Sequence, residues 1–153
     1  MFIMQIYELL DVNSVCIDST ALSQTAVLLR ASQLLNQNHP ELHVDKLFEA
    51  YWKRESMGST AIGHGIIIPH VRSEIIEKSC GVFLRLQHPV DFGAEDKQPI
   101  DLVLALVMPH QCDHHLKILT QIVKRFSNPT FRSNCRNAND AEALYALLIE
   151  DIK

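Results

Sequence analysis

The stretch from Asp101 to Met108 (DLVLALVM) is apolar almost throughout. A strand half-exposed on a sheet surface alternates apolar and polar residues; one that is apolar at nearly every position needs cover on both faces. This segment therefore predicts a central strand with layers on either side of it. The rest of the chain supplies those layers. From about Ser19 to Asn38, Val27, Leu28, Ala31, Leu34 and Leu35 fall on one helical face, and Asn38-His39-Pro40 ends the run. Val44, Leu47, Phe48 and Tyr51 share the face of a second helix reaching about Ser56. Later, Leu116, Leu119, Ile122, Val123 and Phe126 mark a helix for which Asp113 is a candidate N-cap. A last helix carries Leu144, Leu147 and Leu148 behind Asn139-Asp140-Ala141-Glu142, a capping-box pattern. Gly81 to Leu86 reads as a further strand, and Ile66-Ile67-Ile68 as a short one closed by Pro69. Helices and strands interleave, so the fold class is α/β, a mixed β-sheet flanked by helices.

At 153 residues, with no internal repeat and no linker-like tract, the chain reads as one domain over 1–153. Its net charge of -4 argues against a nucleic-acid partner, whose phosphates call for clustered Lys and Arg. No apolar run approaches the ~18–20 residues of a membrane span, so no membrane insertion is expected. The start, MFIMQIYELLDVNS, lacks a basic n-region and a small-residue cleavage site. Cys16, Cys80, Cys112 and Cys135 are widely spaced and form no CxxC pair. A reduced, cytoplasmic protein is the expectation.

The segment with most chemistry runs from Arg54 to His70 (RESMGSTAIGHGIIIPH). Three glycines between positions 58 and 65 make it a shaped loop or an irregular edge, since glycine suits neither helix nor strand interiors. The imidazole of His70 is placed at a strand end, where ligand sites of α/β sheets gather. Glycine loops aim backbone N–H groups at anions, and an arginine fork matches phosphoryl oxygens. A neutral imidazole is a nucleophile near pH 7, and phosphoryl transfer asks the protein mainly for positioning and charge stabilisation. Spacing alone leaves the alternative open that His70 is structural and the glycines only a turn.

The wording GSTAIGHGIIIPH resembles the active-site signature of the fructose/mannitol-type enzyme IIA domains of the bacterial phosphotransferase system. The similarity continues through GVFLRLQHPVDFGAEDKQPIDLVLALVMP, HLKILTQIVKRF and DAEALYALL. Its closest wording is that of the nitrogen-related, regulatory branch. The resemblance implies the enzyme IIA type-2 fold and phosphoryl transfer without a cofactor or metal. It implies His70 as phospho-acceptor through Nε2 and an HPr-type phosphocarrier as donor. His115 would hydrogen-bond the phosphoryl group or His70, Arg54 would balance charge, and Ser59 and Thr60 would donate hydroxyl hydrogen bonds. Downstream partners would be regulatory targets, which in the family include potassium-transport and sensor-kinase proteins, or an enzyme IIB that passes phosphate to a sugar. This chain departs from the pattern at His64, where the family usually has Asn, at Val71, where it has a small residue, and in the extra His110 and His114.

Three other readings compete. The run His110-Gln111-Cys112-Asp113-His114-His115 could bind zinc and serve a hydrolase, although its spacing fits no standard site. A degenerate module that no longer takes phosphate would be expected to have lost His70. Lys124, Arg125, Arg132 and Arg136 read as a solvated basic face.

Overall fold

The structure is a computed structural model that describes residues 6–111 and 115–150. A short helix α1 (Ile6–Leu9) and a 3-10 turn lead into strand β1 (Val15–Asp18), followed by helices α2 (Gln24–Asn38) and α3 (Val44–Ser56). Strands β2 (Ala61–Gly63), β3 (Ile66–Ile67), β4 (His70–Ser73), β5 (Cys80–Val90) and β6 (Ile100–Pro109) follow. Helices α4 (His115–Phe126), α5 (Pro129–Asn137) and α6 (Ala141–Ile149) complete the order.

The sheet order is β1-β5-β6-β3-β2, and β4 also pairs with β6. Strand β6 is the axis. It runs antiparallel to β5 and parallel to both β3 and β4. As the apolar run requires, it is covered on both sides. Val103, Ala105 and Val107 face α2 and α3, packing with Val27, Leu28, Leu35, Leu47 and Tyr51. Leu102, Leu104, Leu106 and Met108 face the other layer, with Ile118, Ile122, Phe126, Phe131 and Leu144. The mixed α/β sheet expected from the sequence is therefore present. No helix among the described residues is long and apolar enough to cross a membrane.

Four local expectations change. Helix α2 begins at Gln24 and not at Ser19, because the Asp18 carboxylate folds the chain into a turn. It accepts from the amides of Thr20 (2.7 Å) and Ala21 (2.8 Å) and pairs with Arg30 at 3.1 Å. Ser23 then caps the helix through the Ala26 amide. In α6 the cap is Asp140, accepting from the Ala143 amide, one residue later than the capping-box pattern. The candidate cap Asp113 lies outside the described residues. The strand at Ile66-Ile67-Ile68 does not end at Pro69 but is interrupted there. Proline has no N–H to give the ladder, yet its carbonyl accepts from Leu106 N at 2.8 Å, and pairing with β6 resumes at His70. Of the basic face only Lys124 is exposed as expected; the three arginines are engaged: Arg132 donates to Phe126 O, Arg125 to Leu147 O and Glu150 O while stacking over Phe131, and Arg136 pairs with Asp101.

The Arg136–Asp101 pair also shapes the glycine loop. Strands β2 and β3 form a hairpin whose turn has positive φ at Gly63, His64 and Gly65. Arg136 donates to the His64 carbonyl, and the His64 amide donates to Asp96 at 3.0 Å. A Cβ on Gly65 would sit 2.8 Å from the Arg136 guanidinium. The position where the family prefers Asn thus has left-handed backbone, which Asn tolerates better than most residues and His64 occupies here.

One buried hydroxyl joins α3 to the axis of the sheet. Tyr51, wholly buried, donates to Leu106 O at 2.8 Å, in the strand segment beside His70. Tyr51→Phe removes that donor from a carbonyl that also lies in the β4–β6 ladder, so the low end of the range for a lost buried hydrogen bond applies. We expect a loss of about 1 kcal/mol, read as a lowered midpoint in urea unfolding. An unchanged midpoint would mean that the hydroxyl contributes nothing there.

Candidate active site

His70 opens β4 beside the centre of β6, in register with Leu106. It is half-buried. Its Nδ1 lies 2.7 Å from Ile68 O. A carbonyl can only accept, so the neutral ring carries its proton on Nδ1 and leaves the Nε2 lone pair free. Ile68 lies between the residues that bond β6: Gly65 O and Pro69 O accept from Leu102 N and Leu106 N, whereas Ile68 N donates to Thr60 O on the other side, and its carbonyl meets the His70 ring. Burial lowers the pKa of His70. The carbonyl of Ile68 and the charge of Glu55 work against that shift, and the charge of Arg54 works with it. The net effect keeps the ring neutral at pH 7, the form that can attack phosphorus.

His115, the first residue of α4, stands opposite, with ring centroids 5.4 Å apart and planes tilted by 55°. Its pKa is also lowered, first by burial and then by the charges of His70 and Arg72. Two residues 45 positions apart in the chain thus share one site. The N-terminal end of a twelve-residue helix opens beside them, where the helix dipole favours an anion.

The loop residues are arranged differently from expectation. Arg54, in the last turn of α3, donates to Gly58 O at 2.9 Å and so closes the loop that follows. It remains near enough to depress the pKa of His70. Ser59 is exposed, and its hydroxyl oxygen accepts from Ala61 N at 3.1 Å. That leaves the hydroxyl hydrogen available. Thr60 is buried and turned inward: its hydroxyl donates to the Glu55 carboxylate in a very short contact, and its amide points to the same group. Thr60 therefore holds the loop to α3, and its hydroxyl hydrogen does not face His70 as a phosphoryl donor. The geometry brings His70, His115 and Arg54 into one neighbourhood, leaves the Ser59 hydroxyl exposed on the loop after α3, and assigns Thr60 to the scaffold.

Glu55 is the residue that sequence reasoning passed over. It lies on the apolar face of α3, four and eight residues beyond Tyr51 and Leu47, and is itself buried. A carboxylate on an otherwise apolar helical stripe was the available signal. Arg72 was also missed. It lies two residues beyond His70 on the same strand, donates to His110 O at 2.9 Å, and acts electrostatically on His115. In the histidine cluster, Cys112, Asp113 and His114 lie outside the described residues. Among the described residues no three His, Cys, Asp or Glu side chains gather as a metal site.

The chain and its fold have relatives. A nitrogen regulatory protein of Pseudomonas aeruginosa is 36% identical over 129 residues, 84% of each chain. The crystal structure of nitrogen regulatory protein IIA-Ntr from Neisseria meningitidis superposes with a TM-score of 0.86 at 30% identity, over 94% of this chain and 98% of that one. The mannitol enzyme IIA of Escherichia coli, solved in complex with phosphorylated mannitol enzyme IIB, shares the fold with a TM-score of 0.76 at 17% identity, over 91% of this chain and 96% of that one. Residues 8–151 match the family described as phosphoenolpyruvate-dependent sugar phosphotransferase system, EIIA 2. With the family match spanning residues 8–151 and relatives that agree in fold and sequence, the protein belongs to this enzyme IIA family.

Proposed function

We propose that this enzyme IIA domain takes a phosphoryl group on Nε2 of His70 from the phosphohistidine of an HPr-type carrier and serves in the nitrogen-related regulatory branch. The observation behind the reading is the contact between His70 Nδ1 and Ile68 O, which leaves Nε2 as the only unprotonated ring nitrogen. In the transfer, the donor's N–P bond breaks and its electron pair returns to the donor imidazole. The Nε2 lone pair of His70 forms the new N–P bond. Arg54 and the N-terminal end of α4 would offset the phosphoryl charge, and Ser59 would offer its exposed hydroxyl. The protein would act as a phosphotransferase in the cytoplasm.

The regulatory branch is favoured because nitrogen regulatory proteins match at 36% and 42% identity over 84% and 65% of their length, whereas a multiphosphoryl transfer protein matches at 33% over 13% of its length and the mannitol enzyme is at 17%. A second reading, delivery to a sugar-specific enzyme IIB, draws on that mannitol complex. The two separate by adding phosphorylated protein to candidate IIB domains and to regulatory targets in turn, and following where the label or the binding goes.

The basic test is incubation with phosphoenolpyruvate, enzyme I and a carrier of the HPr type. One acid-labile, alkali-stable phosphoryl group per chain is expected, and none would contradict the reading. Labelling should run at the same rate with a chelator present. Transfer between two imidazoles of similar potential does not call for a Lewis acid on this chain. If the chelator removes one equivalent of zinc together with the labelling, the hydrolase-like reading of the His110–His115 cluster gains the ground instead.

A further inference from the structure

We propose that Met108 is a positioning residue for phosphoryl transfer, its thioether holding Nδ1 of His115 so that Nε2 of that ring is the nitrogen offered to the phosphoryl group. This inference rests on the reading of His70 given above. Met108 is wholly buried near the C-terminal end of β6, on the same face as Leu104 and Leu106 and in register with Arg72. Helix α4 begins directly over it, and its Sδ is in contact with Nδ1 of His115. Seen only as part of DLVLALVM, Met108 is one more apolar residue of a core strand. In the structure it is the strand's contribution to the site.

The chemistry of the contact is specific. A thioether has no hydrogen to give, so it can only accept. Neutral His115 therefore carries its proton on Nδ1, which points into the core, and its Nε2 is bare. This matches the state of His70, whose Nδ1 proton is fixed by Ile68 O. Sulfur is also a weak acceptor. A carboxylate in its place would favour the imidazolium and charge His115 in advance, as the aspartate of a catalytic triad does for its histidine. Met108 orients the ring without doing so. Among the described residues, the charged and titratable groups that bear on His115 are His70 and Arg72 from β4, and with burial they lower its pKa. Arg54 and Glu55 at the end of α3 act on His70, and Lys117 is exposed on the helix of His115 itself. A phosphoryl dianion arriving on His70 reverses the balance. Nε2 of His115 then takes up a proton and becomes a donor to a phosphoryl oxygen, with the ring already in place.

Two measurements test this with Met108→Leu, a swap that conserves volume. In the unphosphorylated protein, the ring nitrogens of His115 read by 15N NMR should show one tautomer, protonated on Nδ1, and a mixture in the variant. Phosphorylation of the variant should be slowed about 10-fold, by analogy with the roughly 10–100-fold lost when the partner that orients a metal-bound histidine is removed. In a His115→Ala background the same substitution should slow nothing further. An unchanged tautomer in Met108→Leu, or equal slowing with His115 absent, would overturn the proposal and make Met108 a packing residue only. Met108→Val asks the same questions if the leucine variant does not fold. The tautomer measurement needs no phosphoryl donor. Failure of the wild type to take any label therefore strikes the assignment of His70, and is distinguishable from failure at Met108.

Discussion

Replacing His70 with alanine is expected to abolish phosphoryl acceptance while leaving the fold intact. The expectation of total loss follows from covalent chemistry. The other bare nitrogen in the site, on His115, sits on a separate ring whose centroid is 5.4 Å away and is not where the donor phosphoryl is delivered, and a removed nucleophile cannot be replaced by charge stabilisation alone. The fold should tolerate the change, because the side chain is only half-buried and is held by its hydrogen bond to Ile68 O. Loss of such a bond costs about 0.5–1.5 kcal/mol. Labelling from phosphoenolpyruvate through enzyme I and carrier, run beside a thermal melt, separates the two effects. Full labelling of a folded His70→Ala protein would show that another residue is the acceptor.

His115→Ala is expected to have the second largest effect, and a different one. The nucleophile remains, so some phosphate should be accepted. The transition state spreads negative charge over the equatorial oxygens, and a donor at the distance implied by a 5.4 Å ring separation would stabilise it. Loss of one such donor is worth about 10²–10³ in rate. The pH dependence has a definite sign. His115 is depressed in the free protein and must be protonated to donate through Nε2, because Nδ1 is engaged by Met108. A phosphoryl group raises its pKa. Acceptance should therefore be accompanied by proton uptake near neutral pH, and that uptake should vanish in His115→Ala. The checks are a time course of phosphorylation and dephosphorylation, and proton release or uptake in weak buffer. Identical time courses for the two proteins would make His115 a surface histidine.

Much of this architecture was legible. DLVLALVM announced a doubly covered strand, and the period of Val44, Leu47, Phe48 and Tyr51 gave α3 its observed bounds. Strand β1 was not visible, because four residues are too few to establish a period, and Val15–Asp18 is ordered by pairing with β5. Strand β4 was hidden by Pro69: proline reads as a stop, and only the register against β6 shows that the chain continues. Helix α5 has few apolar residues. It is fixed by Asn128 at its cap, by Pro129 in its first turn and by the buried Phe131 and Cys135. In the site, the motif singled out His70 and His115, which the structure brings together, but not the directions of the hydroxyls. Ser59 and Thr60 are adjacent and chemically alike. What separates them is the buried carboxylate of Glu55, which draws Thr60 inward. The arginines of α4 and α5 misled for a related reason, since charge in a sequence gives no hint of carbonyls such as Phe126 O waiting at a helix end.

The central claim is that one particular nitrogen, Nε2 of His70, carries the phosphoryl group. NMR of the phosphorylated protein, with 15N in the histidine rings and 31P detection, reads that nitrogen through its coupling to phosphorus. The geometry predicts a single 31P–15N coupling to Nε2 of His70, with Nδ1 still protonated and bonded to Ile68 O. Coupling to Nδ1, or to any ring other than that of His70, would contradict it.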